Sequence, residues 1–254
     1  MKKKLLLLSI SLLALSITTN CAKTVTDQNQ NTVLRFIFKV RGTLAISNDI
    51  TYYLVLNAPN NTTTYDPNIG PRINGPDLIK GSNLLEGRIP FTGKLVGDLD
   101  SVWTDFFYFT GVDGKMIVGR GRKDSTGNPI IYDRNYLNPN TKPYIENNKV
   151  KGFQLEFFLT SLNGLKDSKA SPKKITANLA VSQNIDKGSG EVYDSWNNNT
   201  AFDIDLSSEA QDTKVDARTD LVLRKLPLRP APVLPLGINS DDINLIEYTL
   251  RIAK

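Results

Sequence analysis

Histidine is absent from this chain of 254 residues, and cysteine occurs once, as Cys21. Without histidine, a Ser-His-Asp triad, a histidine-assisted cysteine nucleophile and a histidine-ligated zinc or iron site are all excluded. The chemistries left for catalysis are a carboxylate pair, a Ser-Lys dyad or a tyrosine. Calcium is the one metal left open, because it prefers oxygen ligands.

The N-terminus has the arrangement of a secretion signal. Three lysines at 2–4 precede an apolar run over 5–17, which is shorter than the about 20 residues needed to cross a bilayer. The run leads into Thr-Thr-Asn-Cys at 18–21, which resembles the cleavage site of bacterial lipoproteins in the loose form seen in spirochaetes, although Asn20 departs from the usual Gly or Ala. This resemblance implies that residues 1–20 are removed and that Cys21 carries lipid. Ala22, in place of aspartate, favours the outer membrane.

The alternative is an ordinary signal peptide followed by a free cysteine. Secreted chains seldom keep one, because an unpaired thiol invites intermolecular disulfides. Under the lipoprotein interpretation, the N-terminal lipid attaches the chain to the membrane of a bacterial cell envelope, and the polar residues 21–32 form a flexible tether. Loss of the three N-terminal lysines lowers the excess of basic over acidic residues from five to two. With no clustered basic face, the sequence predicts no nucleic-acid partner.

From residue 33 onward, apolar residues recur with the period of two that is typical of half-buried β-strands. The clearest alternating runs are 34–40, 153–159, 175–181, 202–206 and 246–252. Helical signals are limited to short capped turns at 207–212 and 240–246. Roughly twelve strands with so little helix predict an all-β fold, an antiparallel β-sandwich of immunoglobulin-like or jelly-roll-like type with long loops. The domain covers 33–254, with two subdomains meeting near 160–175 as an alternative.

Turn and loop signals complete this organisation. Val112-Asp113-Gly114-Lys115 predicts a tight hairpin between two strands. The segment 59–85, rich in Asn, Gly and Pro, is too long for an idle connection, and the proline-rich 226–237 is typical of a stiff extended crossover. Over about 33–160 the chain resembles secreted bacterial β-domains and lipoproteins. The resemblance lies in the order of a Tyr-Tyr strand near 52, a Gly-Pro loop and an aromatic strand with its hairpin. This resemblance supports the fold and implies no activity.

A carboxylate-dependent carbohydrate enzyme is one functional hypothesis. Asp105 and Glu156 would have to face one cleft, roughly 5 to 10 Å apart, to act on a glycosidic bond. The simpler interpretation is that each is the outward residue of an alternating strand. A Ser-x-x-Lys pattern at 171–174 lacks the accompanying motifs of penicillin-recognising enzymes. The sequence therefore favours a protein that is not an enzyme and needs no cofactor.

The leading hypothesis is a binding or structural module at the cell envelope, with an extracellular protein or a glycan as partner. Tyr65 and Trp196 are the candidate ligand-binding residues, since both lie among polar residues in predicted loops, where an aromatic face can stack on a ligand. The alternative for Trp196 is that it caps the edge of the core. Asp98, Asp100 and Asp113 are weak candidates for a structural calcium site. A third hypothesis is an accessory subunit of an outer-membrane assembly. A large exposed apolar patch would support this hypothesis.

Overall fold

The computed structural model of the protein describes residues 32–58, 71, 77–78, 88–89, 103–123, 128–165, 174–186, 191–196, 201–206, 211–215 and 233–253. In these residues two antiparallel β-sheets pack face to face, which confirms the predicted all-β sandwich. Helical structure within the described ranges is limited to 3-10 turns such as Leu159–Ser161, Asn163–Leu165 and Ser240–Asp242. No helix in the described part of the chain is both long and apolar enough to span a membrane.

In chain order the strands are β1 Val33–Val40, β2 Ile50–Asn57, β3 Asp77–Leu78, β4 Arg88–Ile89, β5 Asp105–Val112, β6 Lys115–Lys123, β7 Pro129–Asp133, β8 Lys142–Glu146, β9 Lys149–Phe158, β10 Lys174–Gln183, β11 Val192–Ser195, β12 Phe202–Asp205, β13 Gln211–Val215 and β14 Leu245–Ala253. The first sheet has the order β13-β14-β1-β9-β8. The second sheet has the order β11-β10-β2-β5-β6-β7, and β12 also pairs with β10. β3 and β4 form a separate two-stranded sheet in the described part of the chain. Strands from either side of 160–175 pair within both sheets.

The first sheet follows the alternation in the sequence. Along β1 the even-numbered residues are buried and the odd-numbered ones are partly exposed. Phe36 lies opposite Leu250 of β14 and Leu155 of β9, and all three are buried. One face of the first sheet therefore carries the apolar side chains of three adjacent strands into the core, as the period of two predicts.

The central strands of the second sheet are buried on both faces. Every residue of β2 is buried, and so is every residue of β5 except the last. Tyr52 and Phe109 join the main core between the sheets, whereas Tyr53 and Phe106 belong to a second apolar cluster on the opposite face. Burial on two faces explains why these strands read as continuous apolar runs without alternation.

Two hairpin turns have the left-handed backbone of type I′ turns. Asp113 and Gly114, at φ angles of 50° and 73°, join β5 to β6, which confirms the predicted hairpin. Asn147 and Asn148, at 50° and 59°, join β8 to β9. This second turn was not predicted, although paired asparagines are a signal for it because asparagine tolerates positive φ.

Buried polar groups tie the two sheets together. The Tyr52 hydroxyl accepts a hydrogen bond from the backbone N–H of Ala45 at 3.1 Å and donates one to the carbonyl oxygen of Asp242 at 3.0 Å. Burial raises the pKa of Tyr52 well above its ordinary value, so the hydroxyl remains a donor. Asp194 of β11 accepts the backbone N–H of Leu245, at the start of β14, at 2.8 Å. These contacts fix the position of one sheet relative to the other.

A register shift changes the pattern at the start of β14. The sequence places Ile246 on the same face as Tyr248 and Leu250. The pairing of β1 with β14 shifts between Lys39 and Val40, so that Val40 lies opposite Leu245. Leu245 is therefore the buried residue and Ile246 is only partly buried. A bulge adds one residue to a strand and reverses the alternation beyond it.

Candidate functional site

The two carboxylates considered for catalysis do not face a common cleft. Asp105 begins β5 and is 2% exposed, and both of its carboxylate oxygens accept the backbone N–H of Asn163, at 2.9 and 3.0 Å. Glu156 lies on the face of the first sheet that points away from the core, where it pairs with Arg35 at 2.7 Å. The expectation of an outward strand residue holds for Glu156 and is wrong for Asp105. Both carboxylates serve the fold.

Trp196 lies in the hydrophobic core. Its side chain is 5% exposed, and its ring packs edge-on against Tyr248, with ring centroids 4.8 Å apart, and against Phe202 at 6.3 Å. This placement corrects the expectation of a loop-exposed aromatic, because neither ring face is open to a ligand. The polar neighbours in the sequence concealed the short strand β11, which carries the chain into the core. Tyr65 and Cys21 lie outside the described residues.

The calcium candidates do not form a described site. Asp113 occupies the exposed turn between β5 and β6, and Asp98 and Asp100 lie outside the described residues. Within the part of the chain that the structure describes, no group of three or more acidic or other metal-ligating side chains comes together.

An arginine–tyrosine cluster, which the sequence analysis did not identify, lies on the edge of the second sheet. It consists of Arg120 and Arg122 on β6, Tyr132 on β7, and Tyr136 just after β7. The Arg120 guanidinium lies 4.5 Å from the ring centroid of Tyr136 and 5.0 Å from that of Tyr132, and Arg122 lies 4.9 Å from Tyr132. Contacts at these distances are cation–π interactions. The stacking holds both guanidinium groups in defined positions.

The sequence Gly-Arg-Gly-Arg at 119–122 positions this cluster. Gly119 and Gly121 lie opposite Tyr108 and Phe106 of β5, whose rings occupy the space that a Cβ atom would need. The aromatic rings therefore cover the glycines on one face of β6. The alternation then places both arginines on the other face, which they share with Val118 and which points towards the first sheet.

Tyr136 links this cluster to the first sheet. The backbone N–H of Tyr136 donates to the carbonyl oxygen of Val118 at 2.7 Å, and its hydroxyl donates to the carbonyl oxygen of Glu156, in β9, at 2.8 Å. Burial raises the pKa of Tyr136, which keeps the hydroxyl protonated and able to donate at neutral pH. Asn138 donates to the same Glu156 carbonyl at 3.1 Å. These hydrogen bonds attach the connection between β7 and β8 to β9 of the first sheet.

A groove of about 390 Å³ lies beside the cluster. Its volume falls within the range of about 300 to 1,000 Å³ that is typical of small-ligand sites. It lies between the start of β6, the β7–β8 connection and the first sheet, and Tyr136 belongs both to its wall and to the arginine–tyrosine cluster. Its polar lining residues include Lys115, Asn135, Asn138 and Thr141, and its apolar lining residues include Ile46, Met116, Leu137, Pro143 and Phe153.

The arginines on this side differ in their salt bridges. Arg120 pairs with Asp133 at 3.4 Å, and Arg134 pairs with Asp186 at 3.2 Å. Arg122 takes part in none of the salt bridges among the described residues, and Asp105, its cross-strand neighbour, is directed at the backbone of Asn163. The arrangement is suited to binding an anionic or aromatic group and contains no nucleophile with an activating base.

Comparison of the chain with protein-family models, with curated proteins and with solved structures finds no match. The assignment of function therefore depends on the sequence and on the geometry of this site. The signal that could have revealed the site in the sequence is the strict Gly-Arg alternation, because a period of two places both arginines on one face of a strand.

Proposed function

We propose that the protein is a lipid-anchored binding module of the bacterial cell envelope, attached to the outer membrane through Cys21. The groove and the arginine–tyrosine cluster form its ligand face, and its partner is an extracellular glycan or protein. The observation that carries the proposal is the position of two stacked arginines beside a groove on a rigid sandwich. The buried and paired carboxylates argue against the alternative of a carbohydrate-cleaving enzyme.

The rigidity of the ligand face supports a binding role. Tyr136 and Asn138 are hydrogen-bonded to β9, and the Asn138 side chain also accepts the backbone N–H of Asn140 at 2.9 Å. A connection held in this way loses little conformational entropy when a ligand binds. Leu137 lies between these two residues, is 82% exposed and lines the groove, so it presents an apolar surface that a ligand would bury.

The anchor is tested by replacing Cys21 with alanine. Full-length wild-type protein expressed in a bacterium with a lipoprotein-processing pathway should partition into the detergent phase of a Triton X-114 extract. The Cys21→Ala variant should remain uncleaved or become soluble, because no thiol is left to carry the lipid. Unchanged partition of a cleaved variant would refute the lipid anchor.

The ligand face is tested by replacing Leu137 with serine. Arrays of glycans and of extracellular matrix proteins first identify a ligand for the full-length protein in detergent micelles. Leu137→Ser should then weaken binding to that ligand about tenfold, because an exposed leucine that becomes buried on binding contributes about 1.5 kcal/mol. Leu236→Ser is the matched control, since Leu236 is fully exposed and is not among the residues that line the groove. Equal binding by the two variants would contradict the proposed ligand face.

A further inference from the structure

We infer that the ligand of this face is an acidic glycan, whose carboxylate or sulfate groups bind Arg122 and Arg120 while its sugar rings occupy the groove. The inference rests on the proposed function and adds the chemical class of the ligand. It is drawn from three features: the geometry of the stacked guanidinium groups, the absence of a salt bridge to Arg122 among the described residues, and the shape and lining of the groove.

The first feature is the stacking of the guanidinium groups on tyrosine rings. A guanidinium that lies over an aromatic face keeps the N–H groups at its edges available, and those N–H groups match the two oxygens of a carboxylate or sulfate. Arg122 lies 4.9 Å from the ring centroid of Tyr132, and Arg120 lies 5.0 Å from the same centroid. One tyrosine ring therefore contacts both arginines.

The second feature is the distribution of acidic groups around the arginines. Asp133 is close enough to Arg120 for an ion pair, at 3.4 Å, whereas no salt bridge to Arg122 occurs among the described residues. Asp105 lies opposite Arg122 in the sheet, but its two oxygens accept the N–H of Asn163. Arg122 is partly exposed, so an oxyanion can reach it from solvent. A carboxylate or sulfate would supply the direct ion pair that Arg122 does not make with any described residue.

The third feature is the groove, which favours a glycan over a protein partner. A stable protein interface buries about 800 Å² on each side, whereas a groove of about 390 Å³ holds a ligand of small cross-section. Asn135 and Lys115, both exposed, line its polar wall and can donate to hydroxyl or acidic groups of a sugar chain. Tyr136 borders the groove and contacts Arg120, and Arg122 lies two residues further along the same face of β6. An oligosaccharide that occupies the groove can therefore extend past Tyr136 to the arginines.

The test compares matched acidic and neutral sugars. Hexameric oligogalacturonate, its fully methyl-esterified form and a heparin-derived hexasaccharide are titrated calorimetrically into full-length protein in detergent micelles. The wild type should bind at least one acidic sugar about tenfold more tightly than the ester, and less tightly as salt is raised. Tighter binding of the uronate or of the sulfated sugar would identify which oxyanion is recognised, and either result supports the inference.

The variants assign the effect to the cluster. Arg122→Gln should weaken binding of the acidic sugar about tenfold and reduce its salt dependence, and Arg122→Lys should lie between Arg122→Gln and the wild type because it keeps the charge without the planar donors. Arg251→Gln is the matched control, since Arg251 is exposed on the outward face of the first sheet. All three variants should keep the wild-type circular dichroism spectrum.

Three outcomes would overturn the inference. They are equal affinity for the ester and the acid, equal effects of Arg122→Gln and Arg251→Gln, and no binding of either acidic sugar at millimolar concentration. These outcomes leave the proposed function in place if Leu137→Ser weakens binding of the array ligand and Leu236→Ser does not. Equal binding of the array ligand by these two leucine variants would refute the ligand face itself.

Discussion

Replacing Trp196 with alanine is expected to lower the free energy of unfolding by about 3 to 5 kcal/mol, which is the usual cost of removing a large aromatic side chain from a core. The Trp196 ring packs against Tyr248 of β14 and Phe202 of β12. Phe202 and Tyr248 stack on each other with centroids 4.2 Å apart. Because β12 belongs to the second sheet and β14 to the first, the cavity would open between the sheets. Urea denaturation followed by circular dichroism measures the loss.

The control for this prediction separates a core role from a ligand role. In Trp196→Phe the phenylalanine ring fills most of the volume of the tryptophan side chain. The free energy of unfolding should therefore fall by less than half of its fall in Trp196→Ala. At a temperature where Trp196→Ala is still folded, its affinity for a ligand of the groove should match that of the wild type. A Trp196→Ala variant of wild-type stability that has lost ligand binding would restore the interpretation of Trp196 as a binding residue.

Replacing Gly152 with alanine is expected to destabilise the protein by about 3 kcal/mol, at the upper end of the cost of overpacking. Gly152 lies in β9 between Lys39 of β1 and Tyr144 of β8. A Cβ atom at this position would collide with the backbone carbonyl oxygen of Phe38. Relief requires movement of β1 relative to β9, in the middle of the first sheet. Thermal and urea denaturation measure the change.

Gly121 provides the comparison for Gly152. An added Cβ at Gly121 would collide with the ring of Phe106, which is a side chain and not backbone. Gly121→Ala should therefore cost less than Gly152→Ala, and Phe106→Leu should relieve part of that cost in a double-mutant cycle. No side-chain truncation should rescue Gly152→Ala. Equal costs at the two glycines, or no coupling between Gly121 and Phe106, would contradict the close packing described for these positions.

The local sequence was sufficient for the fold class and for several elements. The alternation from Leu34 to Val40 predicted a half-buried strand, and β1 has this burial. Asp113 and Gly114 predicted a tight turn because both residues accept positive φ, and both adopt it. These properties depend on neighbours along the chain. The cleavage pattern that ends at Cys21 is equally local, and its lipid remains a prediction.

The orientation of single residues was harder to predict from the sequence. Asp105 was expected to face outward, because a carboxylate in an alternating strand usually does. In the structure it is buried, since the turn after β9 brings the N–H of Asn163 to it. Trp196 was expected in a loop because its neighbours are polar, but Tyr248 and Phe202 cover its ring. Asn163 and Tyr248, the partners that decide these two placements, each lie more than fifty residues along the chain from Asp105 and Trp196.

By itself, the sequence determined that the chain forms antiparallel strands, where one of its tight hairpins turns, and which chemistries the absence of histidine excludes. The tertiary structure alone decided which groups surround the two arginines of β6. The period of two places Arg120 and Arg122 on one side of β6, but it does not specify what they meet there. Tyr132 reaches them through the pairing of β6 with β7, and Tyr136 through its hydrogen bonds to Val118 and Glu156. Strand order and register bring these groups together, because long-range pairing sets which faces meet and local periodicity sets only which residues share a face.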